Sequence, residues 1–197
     1  IAALQAAPSR AAQTIPYKPV SFSKTILTEL MIPSYSNFGG KIHGGILLSL
    51  MDKVAYVCAS KHAGNYCVTA SIDTVNFLEP IEVGELVSLM ASVNYVGRTS
   101  VVVGIRVVSE NVKTNRVKHT NTSYFTMVAK GDDEKPAIVP ELILESHEEV
   151  RRCIEAMKMK EIKNKVKEEM NDAKSSIHVE QAASILKGER CIVRLAR

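Results

Sequence analysis

The chain of 197 residues contains no tryptophan, and phenylalanine and tyrosine bring the aromatic share only to 5%. Stacking platforms for single-stranded nucleic acid are therefore poorly supplied. The formal net charge is +4 and is spread along the chain, which leaves no basic patch for a phosphate backbone, so no nucleic-acid partner is expected. The four cysteines, Cys58, Cys67, Cys153 and Cys191, form no C-x-x-C pair. That usage suits a reducing, cytoplasmic compartment. Cys58 and His62 stand four apart, but no second ligand pair follows at suitable spacing, so no metal is expected. The apolar stretch that begins at Gly45 is too short, and too interrupted by Asp52 and Lys53, to cross a bilayer. No G-x-G-x-x-G follows a strand, which argues against a dinucleotide fold. No G-x-S-x-G occurs either, so a serine hydrolase lacks its nucleophile turn, and Ser49 reads as a packing residue.

What is present is an ordinary globular mixture, 46% hydrophobic and 23% charged, enough for one domain with extensions. The organising stretch is Ser36 to Gly64. From Gly45 its apolar positions cover nearly every angle of a 3.6-residue repeat, which predicts a helix over Gly44–Lys61 buried on all sides and wrapped by a sheet. Gly64 reads as the residue that closes it, with His62 at its negative end. Two features go beyond packing. Asp52 is an acid inside an oily element, where burial without a partner costs several kcal/mol. Gly39, Gly40, Gly44 and Gly45 surround Lys41 to His43, leaving a bare helix N-terminus, the kind of place where N–H groups receive an anion or oxyanion. From Gly44 to Asp52 is about 12 Å along the axis, too far for one helix to aim both at one atom. Two chains are therefore expected to share each site.

Residues 1 to 22 contain no acid and open on isoleucine; they are expected to be a disordered or processed extension. Ser23 to Ile32 reads as a strand, and Cys67–Phe77, Glu85–Val96, Val101–Asn111 and Arg116–Ala129 as four more forming an antiparallel meander. Strand, long helix, then a run of strands is an α+β pattern. The domain is expected over residues 23 to 140. Residues 141 to 197 read as a charged extension, helical from Glu141 to about Asn171, with acids early and bases late. Ile192, Val193 and Leu195 suit either a short strand or disorder.

The pattern Asn37-x-x-Gly40, His43-Gly44-Gly45, Met51-Asp52 resembles the hotdog-fold acyl-CoA thioesterases, specifically the short bacterial acyl-CoA hydrolases related to brain acyl-CoA hydrolase. Segments Val68–Val87, Asn94–Asn111 and Lys118–Ala129 continue the likeness, which covers about residues 24 to 155. It implies an antiparallel sheet around the central helix, with hydrolysis of acyl-CoA to free fatty acid and coenzyme A, a place in fatty acid metabolism, and no cofactor beyond the coenzyme A of the substrate. It also implies a homo-oligomer, a dimer at least and often a trimer of dimers.

On that resemblance the Gly44 or Gly45 N–H would stabilise the oxyanion, where the glycines otherwise serve close helix packing. Asp52 would act as general base or as nucleophile, the alternative being an acid paired with a lysine at a subunit contact. Asn37 would donate to the thioester carbonyl or position water, its other role being that of a turn residue. His43 would shape the oxyanion loop. Arg98, Thr99 and Ser100 at a glycine turn suit the phosphates of coenzyme A, or simply make a hairpin. Asn76, Asn111, Lys113, His119 and Asn121 are further candidates for the same groove. Two rival readings are a non-catalytic acyl-CoA binding protein with Asp52 idle, and a hotdog dehydratase needing a histidine–carboxylate partnership.

Overall fold

The computed structural model describes residues 17–194, apart from the side chains of 182 and 183. The chain opens with β1 (Tyr17–Pro19), a helical turn α1 (Val20–Ser23) and β2 (Thr25–Leu30), then the long helix α2 (Gly44–Ala63). Strands β3 (Tyr66–Ile72), β4 (Leu86–Val96), β5 (Ser100–Asn111) and β6 (Arg116–Lys130) follow, then β7 (Glu141–Ile143) and α3 (His147–Ser175). Tyr17–Phe22, expected in a disordered extension, are ordered because β1 pairs in parallel with β7. For the same reason Glu141–Ile143 is strand rather than the start of a helix. The rest of the expected N-terminal extension lies outside the described residues.

The main sheet has the order β2-β4-β5-β6-β3 and every pairing in it is antiparallel. Only β4, β5 and β6 form a meander. β3, expected beside β4, instead runs along β6 and makes one edge, while β2 makes the other. The physical reason is α2. A helix laid across one face separates β2 from β3, and each then finds an edge on opposite sides of the three-stranded centre. Strand β3 is also shorter than expected, ending at Ile72, yet Asp73 and Leu78 still donate backbone hydrogen bonds to Tyr124 and Thr120 of β6.

The alternating positions Val87, Leu89, Ala91 and Val93 of β4 and Phe125, Met127 and Ala129 of β6 are buried. They form one core with Leu47, Met51, Val54, Ala55, Cys58 and Ala59 of α2. The expectation of a helix buried all round is corrected here. Gly45, Ser49, Lys53, Tyr56 and Val57 are exposed, at spacings that draw one stripe along α2, so the sheet covers only part of its circumference. Ser49 is accordingly a surface residue of the protomer. Burial pushes the Cys58 thiol up to about 12, which makes it a packing residue rather than a nucleophile.

The helix ends as its sequence requires. Gly64 has φ of +71° and its N–H donates to the Ser60 carbonyl at 2.8 Å, a left-handed conformation that glycine adopts without penalty. Lys18 then reaches across from β1 and donates to the carbonyls of Lys61 (3.1 Å) and His62 (2.7 Å), a cation on the negative end of the dipole. His62, expected as a terminal surface residue, is fully buried; its Nε2–H donates to the Pro140 carbonyl at 3.0 Å and its Nδ1 has no partner among the described residues.

The chain falls into two units, one up to Ala156 and one from Met157 onward. The segment from Met157 onward continues α3 and then a short 3-10 turn at Val179–Gln181 and α4 (Ala182–Ile185). Its apolar Met157, Ile162 and Val166 are exposed. Ile192 and Val193 form no strand, and Leu195 lies outside the described residues.

Burial lowers the His62 pKa below the ordinary histidine value, so the unfolded chain takes up its proton first. Stability from this site is full above about pH 6.5 and is lost as pH falls through that value toward the folded-state pKa. Denaturant unfolding across this range is expected to show that decline, and His62→Asn to flatten it.

Candidate active site

The approach to α2 is a short, closed loop. His43 N–H donates to the Tyr35 carbonyl at 2.8 Å and Asn37 N–H to the Lys41 carbonyl at 2.7 Å. Asn37 holds the loop from inside, its Oδ1 accepting from the N–H groups of Gly39 (2.9 Å) and Lys41 (3.2 Å). Gly40 sits at the turn with φ of +74°, which glycine alone takes freely. The amide Nδ2 is what Asn37 has left to offer. Ile42 inserts into the core and fixes the loop against Ile81, whose carbonyl accepts its N–H at 3.0 Å.

His43 is the N-cap of α2, its Nδ1 accepting from the Gly45 N–H at 2.9 Å. This alters the expectation of two interchangeable oxyanion donors. The Gly45 N–H is already engaged, whereas the Gly44 N–H has no acceptor among the described residues. Gly44 is glycine for a visible reason: a Cβ there would meet the Phe77 ring at 3.1 Å. Phe77, which the sequence reading placed at the end of a strand, thus stands over the helix start.

Asp52 lies on the second face of the site. It is half-buried, and the Thr69 hydroxyl of β3 donates to its Oδ1 at 2.6 Å. That single bond answers the problem of an acid in an oily helix, since the carboxylate sits at the margin of the core with one oxygen satisfied and the other without a partner among the described residues. Around the pair is a groove of about 400 Å³ lined by Lys53, Tyr56, Val57, Tyr66, Cys67 and Val68. Thr69 was not among the residues singled out from sequence. The signal available was its place in the strand next to the helix, where a hydroxyl among small residues can reach an acid.

The structure gathers Asn37, His43, Gly44 and Gly45 into one unit and pairs Asp52 with Thr69. Within the protomer it does not bring the two groups to one point, because α2 separates Gly44 from Asp52 by about 12 Å. Arg98, Thr99 and Ser100 make the β4–β5 turn, closed by a 2.8 Å bond from Gly97 N–H to the Ser100 carbonyl, with Arg98 exposed. Asn111 is spent on its own turn, its Oδ1 accepting from the N–H groups of Lys113 and Thr114. Asn121 is buried and donates to the Asn76 carbonyl at 2.6 Å, tying the segment that carries Phe77 to β6. His119 belongs to a different cavity, about 600 Å³, shared with Asn94, Arg106 and the first turns of α3. Of the residues singled out from sequence, His119 is the one that lines it.

These features match known proteins. Residues 39–115 fit the model of the thioesterase superfamily. The chain is 45% identical over 143 residues to Helicobacter pylori protein VdlD, covering 73% of this chain and 82% of that protein. It is 35% identical over 128 residues to Bacillus subtilis YkhA, named an uncharacterised acyl-CoA thioester hydrolase, covering 65% and 74%. Among solved structures, a hexameric acyl-CoA thioesterase superposes with a TM-score of 0.74 at 40% identity, covering 76% of this chain and 96% of that one. The acyl-CoA hydrolase of Staphylococcus aureus, solved with butyryl coenzyme A and coenzyme A, gives 0.74 at 32%, covering 81% and 98%. The chain belongs to the thioesterase superfamily and has its hotdog fold. The S. aureus hydrolase has also been solved with alanine in place of an asparagine, an aspartate and a threonine spaced 15 and then 17 residues apart. Asn37, Asp52 and Thr69 stand at the same spacings.

Asn37 combines two jobs that substitution separates. Asn37→Asp keeps the oxygen that holds Gly39 and Lys41 and is expected to unfold at nearly the wild-type denaturant midpoint. Asn37→Ala loses both bonds and is expected to cost about 1 kcal/mol.

Proposed function

We propose that this chain is an acyl-CoA thioesterase, which hydrolyses acyl-CoA to a free fatty acid and coenzyme A and works as a homo-oligomer. The observation that carries the reading is the Asp52–Thr69 pair at the edge of an apolar groove, with Asn37 at the spacing described above. In this scheme water attacks the thioester carbonyl, Asp52 takes the proton through the oxygen that Thr69 leaves open, and the carbon–sulfur bond breaks to release the thiolate, which is then protonated. The negative charge that builds on the carbonyl oxygen needs donors already in place. The Gly44 N–H at the positive end of α2 and the Asn37 amide supply them. Arg98, with Thr99 and Ser100, is assigned to the phosphates of coenzyme A, which its exposed guanidinium suits.

Because Gly44 and Asp52 of one protomer are too far apart, the donors come from one protomer and the acid from its mate. The uncovered stripe of α2 and the β3 edge are the surfaces through which a second copy would bring them together. A trimer of such dimers is the further assembly in this reading, by analogy with the hexameric thioesterase. A hydroxyacyl dehydratase is less well served, since His43 Nδ1 is committed to capping the helix and is no free base. A binding protein without activity leaves the Thr69 bond to Asp52 without a purpose.

With acyl-CoA and a thiol-reactive dye, Asp52→Asn is expected to lose about a thousandfold in kcat. Thr69→Val, which removes one hydrogen bond to a charged group worth about 1.5–3 kcal/mol, is expected to lose about tenfold to a hundredfold, and Thr69→Ser to retain activity. Full activity in Asp52→Asn sinks the assignment. The shared site has its own test. Mixing inactive Asp52→Ala and Asn37→Ala proteins after reversible dissociation is expected to restore roughly a quarter of wild-type activity, one of two sites in half of the random dimers. No recovery means that each protomer carries a whole site.

A further inference from the structure

The groove beside Asp52 has a direction. Along α2, one turn beyond Asp52 is Tyr56, a step of about 6 Å. Along β3, which runs opposite to the helix, three residues back from Thr69 is Tyr66, a step of about 10 Å. Both elements thus move the same way from the carboxylate–hydroxyl pair and arrive at two aromatic rings. Those rings meet. Their centroids are 5.9 Å apart and their planes are inclined by 59°, the tilted contact that aromatic pairs favour.

Between the two ends the groove is lined by Val57, Cys67 and Val68, with Lys53 its one cation among the described residues. Such a lining offers little to the amides of pantetheine and suits a hydrocarbon. An acyl group whose carbonyl carbon sits beside Asp52 would extend along it until it reached the rings. Tyr56 is 39% and Tyr66 60% exposed, so both reach beyond the core into this space. Neither residue belongs to the protomer's core.

We propose that Tyr56 and Tyr66 form a stop at the end of the acyl groove and restrict the enzyme to short acyl chains, those that fit within about 6–10 Å of the reacting carbonyl. This rests on the thioesterase reading of Asp52 and names the substrate class of that site. The rings act by excluded volume. The groove lies on the α2 stripe and β3 edge against which the second copy would sit, so a longer chain has to displace the ring pair or part the subunits, and either loses part of the hydrophobic gain that each further methylene would otherwise bring.

The test is a panel of butyryl-, octanoyl- and palmitoyl-CoA assayed by thiol release with the wild-type protein, Tyr56→Ala, Tyr66→Ala and the corresponding phenylalanine variants, each sized by gel filtration. Wild type is expected to favour butyryl-CoA in kcat/KM. Either alanine variant is expected to shift the palmitoyl-to-butyryl ratio upward by about tenfold or more, the scale on which hydrophobic pockets discriminate chain length. The phenylalanine variants are expected to keep the wild-type ratio. Where an alanine variant does not fold, Tyr66→Leu gives the same comparison at an exposed strand position. Equal hydrolysis of palmitoyl- and butyryl-CoA by wild type overturns the stop, as does an unchanged ratio in active alanine variants. Uniform loss across the panel with dissociation into monomers makes the rings a subunit contact and overturns it as well. No hydrolysis of any chain length by wild type removes the thioesterase reading, and the stop with it.

Discussion

A helix is a cylinder and a single curled sheet can cover only part of it. That geometric limit governs this molecule. Helix α2 buries Leu47, Met51, Val54, Cys58 and Ala59 against β4, β5 and β6, and by doing so leaves the stripe from Gly45 through Tyr56 and Val57 in solvent. Everything chemical in the fold lies along that stripe or at its ends. Asp52 sits on its margin and finds Thr69, and the loop of Asn37 to His43 closes over its beginning. Burying the same residues all round would have forced Asp52 to lose its charge or take a buried partner.

The two ends of α2 are finished in opposite ways. At the start, His43 caps one N–H and leaves that of Gly44 open, beneath the Phe77 ring. At the finish, Gly64, Lys18 and the contact of His62 with Pro140 close the end and tie it to β1 and the segment before β7. A helix dipole unsatisfied at its positive end and satisfied at its negative end is suited to receiving a developing anion. The closed end is also where the buried imidazole makes stability depend on pH.

Much of the fold was legible because the signals were local. The helix that starts at Gly44 and is closed by Gly64, the strand spans near β4, β5 and β6, and the glycine-marked turns follow from periodicity and turn chemistry. The departures share a cause. That β3 lies beside β6 rather than β4, that Tyr17–Pro19 pairs with Glu141–Ile143, and that His62 is buried all depend on which distant segment arrives alongside. The helix illustrates the limit well: Tyr56, Val57 and Ala59 look alike in a pattern of apolar residues, yet only Ala59 is buried.

The site divides along the same line. Asp52 and the glycines of the helix start could be marked from residue type and spacing alone, because a charge in an apolar helix and glycines before a helix are exceptional wherever they occur, while Asn37 and His43 were marked by the family resemblance. The engagement of the Gly45 N–H, the choice of Thr69 as the partner of Asp52 and the meeting of Tyr56 with Tyr66 could not. Each of these is a contact of one side chain with one partner at a few ångströms. The sequence by itself settled which residues are costly to bury and where the chain must turn. The tertiary structure decided which of them meet, since an encounter between residues 17 positions apart depends on how the sheet curls around the helix rather than on any property of the two residues themselves.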